Sequence, residues 1–305
     1  MTVPRLRERD RVRLVSPASP PSRDGVARGV ELLESWGLRV EIGRYAFDQL
    51  GYLAGDDRDR LADLNEALRD PGVRAVFATR GGKGAYRIAD RLDLEAARAD
   101  PKPLVGFSDI TYLHLALLRA EIPGSVHGPM LNWNDDFCDA RCAENLRRAL
   151  MEVEPIVVHS DSAEYTARFT AGQPATGTLI GGNFGSICHS VGWTLPDLGG
   201  AILLLEDHHG TGLGQIDRCF TQLVHGGHLD RVVGVALGAF GEFESAEAGG
   251  WTLADVVSGW LERLGVPVLG GLPVGHGRNP ATVPLGTRTT IDPAAGRMTV
   301  SSGVR

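Results

Sequence analysis

A serine stands at a predicted turn between a strand and a helix. Ser108 follows the apolar run 103–106 and precedes apolar residues at helical spacing that begin at Ile110. Such a turn exposes its hydroxyl, and the backbone N–H groups at the start of the helix can stabilise a developing negative charge. This arrangement is typical of an activated nucleophile. On this motif alone, a plain helix cap at Ser108 or Asp109 explains the same pattern.

An acid and a histidine occur later in the chain at comparable positions. Glu206 follows the apolar run 201–205, where an unpaired carboxylate is costly to bury. His276 lies between two glycines, just after a predicted strand at 267–272. Serine, glutamate and histidine predict a nucleophile, a residue that orients the base, and a general base. The alternatives are a strand-end salt bridge for Glu206 and a backbone-bonded loop histidine for His276.

Strand and helix patterns alternate through the first half of the chain. Strands are predicted at 12–15, 39–42, 75–78 and 104–106, and helices at 26–38, 58–68, 86–92 and 110–118. The alternation predicts a doubly wound α/β domain of flavodoxin or Rossmann type, with a parallel sheet between helices. Catalytic and ligand-binding groups in such sheets lie at the carboxyl ends of the strands. The turns 80–82 and 106–108 both follow strands, so we expect them to meet.

The pattern changes near residues 150–172. We predict an N-terminal domain at 1–150, a linker at 151–172, and a smaller, β-rich α+β domain at 173–305. Its expected elements are strands at 201–205 and 232–237, helices at 215–224 and 251–261, and a hairpin at 287–300. The serine and the histidine then come from different domains, so the site is expected in the cleft between them.

Composition narrows the class of protein. The 305 residues carry a net charge of −7 with no basic face, which argues against nucleic acid as a partner. No run approaches the ~18 apolar residues of a membrane span, and the charged N-terminus does not resemble a signal peptide. The four cysteines contain no C-x-x-C pair and no dense framework, which is typical of a reducing compartment. These features predict a cytoplasmic protein.

Two other patterns suggest chemistry only superficially. His208, His209, His225 and His228 raise the question of a zinc site, but no known zinc motif accompanies them. The glycines at 81–84 lack the spacing of a phosphate-binding loop. We therefore predict neither a metal nor a cofactor.

Taken in order along the chain, the motifs resemble the LD-carboxypeptidase family of serine peptidases, which includes the microcin C self-immunity peptidases. The matching segments are 12–19 with Ser-Pro-Ala-Ser, Arg-Gly-Gly-x-Gly at 80–84, 103–111, His-Gly-Pro-Met at 127–130, Gly-Gly-Asn at 181–183, Leu-Glu-Asp at 205–207, Ile-Asp-Arg at 216–218, Gly-His-Gly at 275–277 and Pro-Leu-Gly at 284–286. Each motif is weak alone, and their joint order and spacing are specific.

The resemblance implies an amidase with the nucleophile at Ser108 and the remaining triad members at Glu206 and His276. It implies an oxyanion hole made of the backbone N–H groups of Asp109 and Gly82. It also implies a two-domain fold with a doubly wound first domain, and commonly a homodimer. One branch of the family cleaves the L,D amide of murein tetrapeptide; the other cleaves an aminoacyl group from a nucleotide mimic.

Five residues are candidates for binding the substrate: Arg80, Gly81, Lys83, Trp133 and His127. Arg80 could hold a carboxylate through two hydrogen bonds, or form an ion pair that supports the glycine turn. Trp133 could line the cleft or simply pack, and His127 could support the site wall or lie in the core.

Some positions depart from the family pattern. Lys83 stands where the murein branch often has tyrosine, and Phe107 where tyrosine is also common. Phe184 replaces a usual leucine, and Gln215 a frequent arginine. The insertion at 208–210 matches no family motif that we can assign. These departures bear on the substrate rather than on the reaction.

The main hypothesis is a serine carboxypeptidase-type amidase that cleaves the terminal L,D amide of murein tetrapeptide in peptidoglycan recycling. The runner-up within the family is an immunity-like peptidase that hydrolyses aminoacyl-nucleotide conjugates; Lys83 favours it. From other classes, a catalytically silent binding module and a metallohydrolase remain open. The expected partner is a small peptide or an aminoacyl nucleotide, without nucleic acid or membrane.

Overall fold

Strands and helices alternate through most of the chain. The computed structural model describes residues 2–241 and 250–305, with the backbone alone at His209. Within those residues the strands are β1 Arg11–Val15, β2 Arg39–Ile42, β3 Val73–Ala78, β4 Leu104–Gly106, β5 Ser125–His127, β6 Ile156–His159, β7 Ala175–Asn183, β8 Ala201–His208, β9 Gly234–Gly241, β10 Val268–Leu269, β11 Val283–Pro284, β12 Arg288–Asp292 and β13 Arg297–Val300. The α-helices are α1 Arg23–Ser35, α2 Asp57–Arg69, α3 Leu94–Ala99, α4 Thr111–Arg119, α5 Ala140–Met151, α6 Phe184–His189, α7 Leu213–His225 and α8 Leu253–Leu264.

The first sheet is parallel except at one edge. Its strand order is β11-β5-β4-β3-β1-β2, and β11 alone runs antiparallel, against β5. Leaving β11 aside, the order 2-1-3-4-5 is that of a flavodoxin-like doubly wound sheet. Every residue of β3 except Arg74 is buried, as expected for a strand covered on both faces. The predicted doubly wound domain is confirmed.

The second sheet is mixed. Its order is β10-β9-β8-β7-β12-β13-β6, in which β10, β9, β8 and β7 are parallel. The remaining strands are antiparallel, and β12 with β13 form the hairpin that the alternating tail predicts. Helices α6, α7 and α8 pack on this second domain, so the chain combines two α/β units.

The two units share strands and chain ends. Strand β11, from late in the chain, joins the first sheet, and Val3 bridges Val304. Strand β6 lies inside the range predicted as a linker and forms the edge of the second sheet. The division at 150 and 172 therefore stays a prediction.

One predicted helix is wrong. Residues 86–92 form two short 3₁₀ turns, Ala85–Arg87 and Ala89–Arg91. Ile88 between them has φ −126°, outside the helical range, so the two turns cannot merge into one helix. No helix among the described residues is long and apolar enough to cross a membrane.

Candidate active site

Ser108 stands on a sharp turn at the carboxyl end of β4. It opens a 3₁₀ turn, Ser108–Ile110, that leads directly into α4. Its φ is +62°, a left-handed conformation that is uncommon for a residue with a side chain. Strained backbone of this kind persists where the surrounding structure holds it, often at functional sites. The sequence prediction of a strand, a turn and a helix around Ser108 is confirmed.

The helix-cap alternative is wrong for both Ser108 and Asp109. The N-cap positions of the 3₁₀ turn and of α4 are Phe107 and Ile110, and neither end has a side-chain cap. The Asp109 carboxylate instead accepts a hydrogen bond of 2.6 Å from the backbone N–H of Ala85. Burial raises the pKa of Asp109 to about 7. This carboxyl group therefore ties the serine turn to the segment after the glycine turn.

The glycine turn lies against the serine turn. A Cβ at Gly81 would stand 3.1 Å from the Cβ of Ser108, so a side chain there would press on the serine. Gly82 has φ +93°, which glycine adopts without cost. Among the hydrogen bonds of the described residues, the N–H groups of Gly82 and Asp109 have no acceptor. The two turns meet at the edge of the sheet, as predicted.

Glu206 and His276 form a close pair. His276 Nδ1 lies 2.6 Å from Glu206 Oε2; the Glu206 side chain is fully buried, and that of His276 is 20% exposed. Burial alone would lower the pKa of the imidazole. The Glu206 carboxylate outweighs that effect, and the pKa of His276 is raised. Gly275, at φ +91°, leaves room for the carboxylate, since a Cβ there would overlap Glu206 Oε2.

Phe107 brings this pair to the serine turn. Its ring centroid lies 5.0 Å from that of His276, with an edge-to-face geometry. Because Phe107 directly precedes Ser108, the histidine from the second domain contacts the residue next to the serine of the first domain. The Glu206–His276 pair thus lies at the domain boundary, against the residue that precedes Ser108.

Asp207 holds the end of β8. Its buried carboxylate accepts hydrogen bonds from the Asn183 side chain at 3.2 Å, the Gly185 N–H at 3.1 Å and the Thr211 hydroxyl at 2.7 Å. Asn183 N in turn donates to Thr111 Oγ1 at 3.1 Å, across the two domains. These bonds fix the strand end from which Glu206 projects.

A cavity of about 290 Å³ opens beside Phe107. Its walls include Arg80, Met130 and Trp133. Arg80 is exposed and donates to the Pro20 carbonyl at 2.8 Å, and it has no acidic partner among the described residues. The ion-pair alternative for Arg80 is therefore not observed. Trp133 is buried in the cavity wall, and its ring nitrogen donates to Asp135 at 3.0 Å.

The other binding candidates take different positions. Lys83 is exposed, and its backbone N–H donates to Ser19 Oγ at 3.0 Å. His127 is a core residue, with 1% of its surface exposed and its ring 5.9 Å from that of Phe107. Neither of its ring nitrogens has a partner among the described residues. Burial lowers the pKa of His127 to about 3, so the ring is neutral.

Of the histidines raised as metal candidates, those whose side chains the structure describes belong to no cluster of possible metal ligands. The described residues contain no group of three metal-ligating side chains. The His208 ring lies 4.7 Å from that of His276, whereas His225 lies 6.1 Å from Trp260. The His209 side chain lies outside the described part of the chain.

Sequence reasoning missed a set of contacts around the start of α5. Asp139 and Asn279 are hydrogen-bonded across the two domains, and a disulfide joins Cys138 to Cys142. Cys188 and Cys219 are free, buried thiols. Asn279 precedes a proline, which marks a turn, but nothing in the sequence shows which residue that turn meets.

The chain matches the family models described as the LD-carboxypeptidase N-terminal domain, over residues 12–128, and C-terminal domain, over residues 176–291. A "Probable murein peptide carboxypeptidase" of Bacillus subtilis is 32% identical over 301 residues, 98% of this chain and 94% of that protein. The murein tetrapeptide carboxypeptidase of Pseudomonas aeruginosa is 30% identical over 292 residues, 92% of this chain and 93% of that protein.

Solved structures show the same fold. The muramoyltetrapeptide carboxypeptidase of Oxalobacter formigenes superposes with a TM-score of 0.84 at 27% identity, covering 97% of this chain and 100% of that one. MccF in complex with glutamyl sulfamoyl guanosine superposes with a TM-score of 0.86 at 22% identity, covering 98% of each chain. At 22% identity, the likeness to MccF shows a shared fold and no more. Both family models match this chain, and two carboxypeptidase relatives are at least 30% identical to it over most of their length. The chain therefore belongs to the LD-carboxypeptidase family.

Proposed function

We propose that this protein is a serine carboxypeptidase-type amidase in which Ser108, His276 and Glu206 form the catalytic triad. The observation that carries the proposal is the 2.6 Å contact between His276 and a fully buried Glu206, next to the strained Ser108 turn. A carboxylate bonded to Nδ1 holds the neutral imidazole with its proton on that nitrogen. The other nitrogen, Nε2, is then a free base for the serine hydroxyl.

The reaction divides into two half-reactions. Ser108 Oγ attacks the substrate carbonyl while His276 Nε2 takes the hydroxyl proton. The imidazolium, stabilised by Glu206, then donates this proton to the leaving amine as the C–N bond breaks. A water molecule attacks the resulting acyl-enzyme by the same route, which releases the acid and restores the serine.

The oxyanion hole is assigned to the N–H groups of Gly82 and Asp109. Both belong to turns that touch Ser108, and neither is bonded to another described residue. Two preorganised donors that face the developing oxyanion stabilise the transition state more than the substrate. The Asp109 carboxyl group needs no chemical role, because it is bonded to Ala85.

The substrate proposed is the L,D amide of murein tetrapeptide. Two relatives at 30–32% identity bear names that refer to murein peptides, and a solved relative at 27% is a muramoyltetrapeptide carboxypeptidase. The terminal carboxylate of such a peptide suits the guanidinium of Arg80 at the cavity rim, which donates to the Pro20 carbonyl and has no acidic partner among the described residues. Trp133 supplies an apolar wall, and the small volume of about 290 Å³ fits a single terminal residue.

Lys83 favours an aminoacyl-nucleotide substrate instead. Its exposed ammonium group follows the Gly82 turn and would attract a phosphate or sulfamate group. Side-by-side turnover of an L,D-tetrapeptide and an aminoacyl sulfamoyl adenylate separates the two substrates. Higher kcat/KM on the tetrapeptide is expected.

The serine mechanism is tested by Ser108→Ala. Release of D-alanine from tetrapeptide, followed by mass spectrometry, is expected to fall by about 10³-fold or more, because the nucleophile is lost. Ser35→Ala, an exposed helix-end serine, is the matched control and should retain wild-type turnover. Retention of most activity by Ser108→Ala would rule out this mechanism.

The other two classes of protein have their own tests. Survival of wild-type activity in the presence of a chelator would exclude the metallohydrolase. Inactivity of the wild type on both substrates would favour the silent binding module.

A further inference from the structure

The loop that carries His276 is attached to the first domain by a compact set of hydrogen bonds. Asn279 N donates to the Phe137 carbonyl at 2.8 Å. The Asn279 side chain accepts from the backbone N–H of Asp139 at 2.7 Å and donates to the Asp139 carboxylate at 2.9 Å. Three residues after His276, the chain is therefore held by three bonds to the other domain.

Asp139 joins these bonds to a rigid element. Its Oδ1 caps α5 by accepting from the N–H groups of Arg141 at 2.8 Å and Cys142 at 3.3 Å. Its Oδ2 is the atom that Asn279 reaches. Helix α5 in turn buries Leu146 and Leu150 in the core of the first domain. One oxygen of this carboxylate caps the helix, and the other accepts from Asn279 and lies 3.5 Å from the Arg141 side chain. Replacing Asp139 alone, or Asn279 alone, therefore breaks bonds of the pair.

The same segment also supports the serine side of the site. The Phe137 ring stacks on that of Phe107 at 6.2 Å with an interplanar angle of 6°, and Phe107 contacts His276. The disulfide from Cys138 to Cys142 spans Asp139 and closes the first turn of the helix. Phe137 thus contacts both sides: its ring stacks on Phe107 next to Ser108, and its carbonyl accepts from Asn279 in the histidine loop.

Asn279 is also the residue type that its backbone requires. Its φ is +50°, a left-handed value that asparagine and aspartate tolerate better than other residues with a side chain. A bulkier residue would strain the loop, and glycine would keep the backbone while removing the side-chain bonds. Asn279 and Asp139 therefore do more than fill space.

We propose that Asn279 and Asp139 form an interdomain latch that positions His276 against Ser108. They are positioning residues, since neither is assigned a contact with the substrate. The inference rests on the proposed function, because it concerns how that triad is assembled. A proton transfer between residues of two domains requires their separation to be held within a few tenths of an ångström, and misplacement by about 1 Å can cost about 10²-fold in rate.

An exchange of the two residues tests the latch directly. Asn279→Asp alone sets two carboxylates against each other, and Asp139→Asn alone sets two amide NH₂ groups together or removes the cap of α5. The double variant N279D/D139N restores the bonds between the two residues: the new amide at 139 caps α5 through its oxygen and donates to the carboxylate at 279. It gives up only the 3.5 Å contact of the exposed Arg141 side chain with Asp139 Oδ2. We expect kcat to fall about 10- to 100-fold in each single variant, with little change in KM. The double variant should recover most of the wild-type kcat.

Controls separate positioning from stability and from the proposed function. Asn279→Gly removes the side-chain bonds without backbone strain and should lower kcat alone, while Asp90→Asn removes an exposed carboxylate and should change nothing. Thermal unfolding of each variant shows whether it folds. Single variants with wild-type kcat, or a double variant as impaired as the singles in folded protein, would overturn the latch. Loss of activity in Ser108→Ala would meanwhile leave the proposed mechanism standing.

Discussion

At the scale of the residue, the proposed chemistry depends on the environment of one carboxylate. Glu206 has no exposed side-chain surface, and its Oε1 has no hydrogen-bond partner among the described residues. A buried carboxylate is costly unless it is paired, and the imidazole that approaches Oε2 is its partner. The pair is therefore suited to stabilise the imidazolium that the proposed reaction creates.

Replacing Glu206 by glutamine should shift the pH profile. The charge of Glu206 raises the pKa of His276, and the base must be neutral to accept a proton, so wild-type kcat/KM should rise with pH through a value above 6.5. In Glu206→Gln that acid limb should move to lower pH, and kcat should fall about 10²- to 10⁴-fold because the orienting charge is lost. Glu262→Gln, an exposed matched change, should leave the profile unaltered. If the acid limb of the Glu206→Gln profile did not move, the carboxylate could not be the cause of the raised pKa of His276.

At the scale of the element, two turns and one strand end assemble the site. The serine turn follows β4, the glycine turn follows β3, and Glu206 lies near the end of β8. All three are carboxyl ends of parallel strands, where side chains leave the sheet without competing for its backbone bonds. The secondary structure predicts at which strand ends these side chains lie. The tertiary contacts between the elements decide which side chains come together.

The glycine turn should not tolerate a side chain. In Gly82→Ala the Cβ would overlap Ser19 Oγ, and a φ of +93° would add backbone strain. The turn must move, and with it the proposed oxyanion N–H, so kcat should fall about 10²-fold with a smaller change in KM. Gly51→Ala is the matched control, because Gly51 also has a positive φ but an added Cβ meets nothing within 4 Å. Steady-state kinetics that found equal loss in both variants would contradict this role.

At the scale of the whole molecule, the two domains are joined by more than the chain between them. Strand β11 completes the first sheet, Val3 bridges Val304, and the latch joins the histidine loop to α5. A site whose residues come from both domains needs such connections to keep its geometry. The homodimer implied by the family stays a prediction.

Global stability should depend on the protonation of Asp109. Burial raises its folded-state pKa to about 7 from 3.8, so the folded state binds this proton more tightly than the unfolded chain. The contribution is full below pH 3.8 and is lost as pH rises through about 7, on the order of a few kcal/mol in all. In urea unfolding, the wild type should therefore lose more stability between pH 5 and pH 8 than Asp109→Asn. Asp136→Asn, which changes an exposed carboxylate, is the control and should behave as the wild type. An equal loss of stability in the wild type and in Asp109→Asn would show that Asp109 does not cause the pH dependence.

The sequence by itself determined the doubly wound first sheet, the strand–turn–helix around Ser108 and the family. Hydrophobic periodicity and glycine turns are local properties, and residues such as Glu206 and His276 could be placed at element ends from neighbouring residues alone. It failed at 86–92, where Ile88 leaves the helical range, and for the Asp109 carboxyl group, which bonds to Ala85 instead of a helix end.

Only the tertiary structure decided which of these groups meet. The pairing of Asp139 with Asn279 spans 140 residues, and that of Glu206 with His276 spans 70. No local pattern encodes such a contact, because it depends on how two sheets pack and on β11 returning to the first of them. The sequence supplied the chemical groups, and packing between the domains set the distances that let them act together.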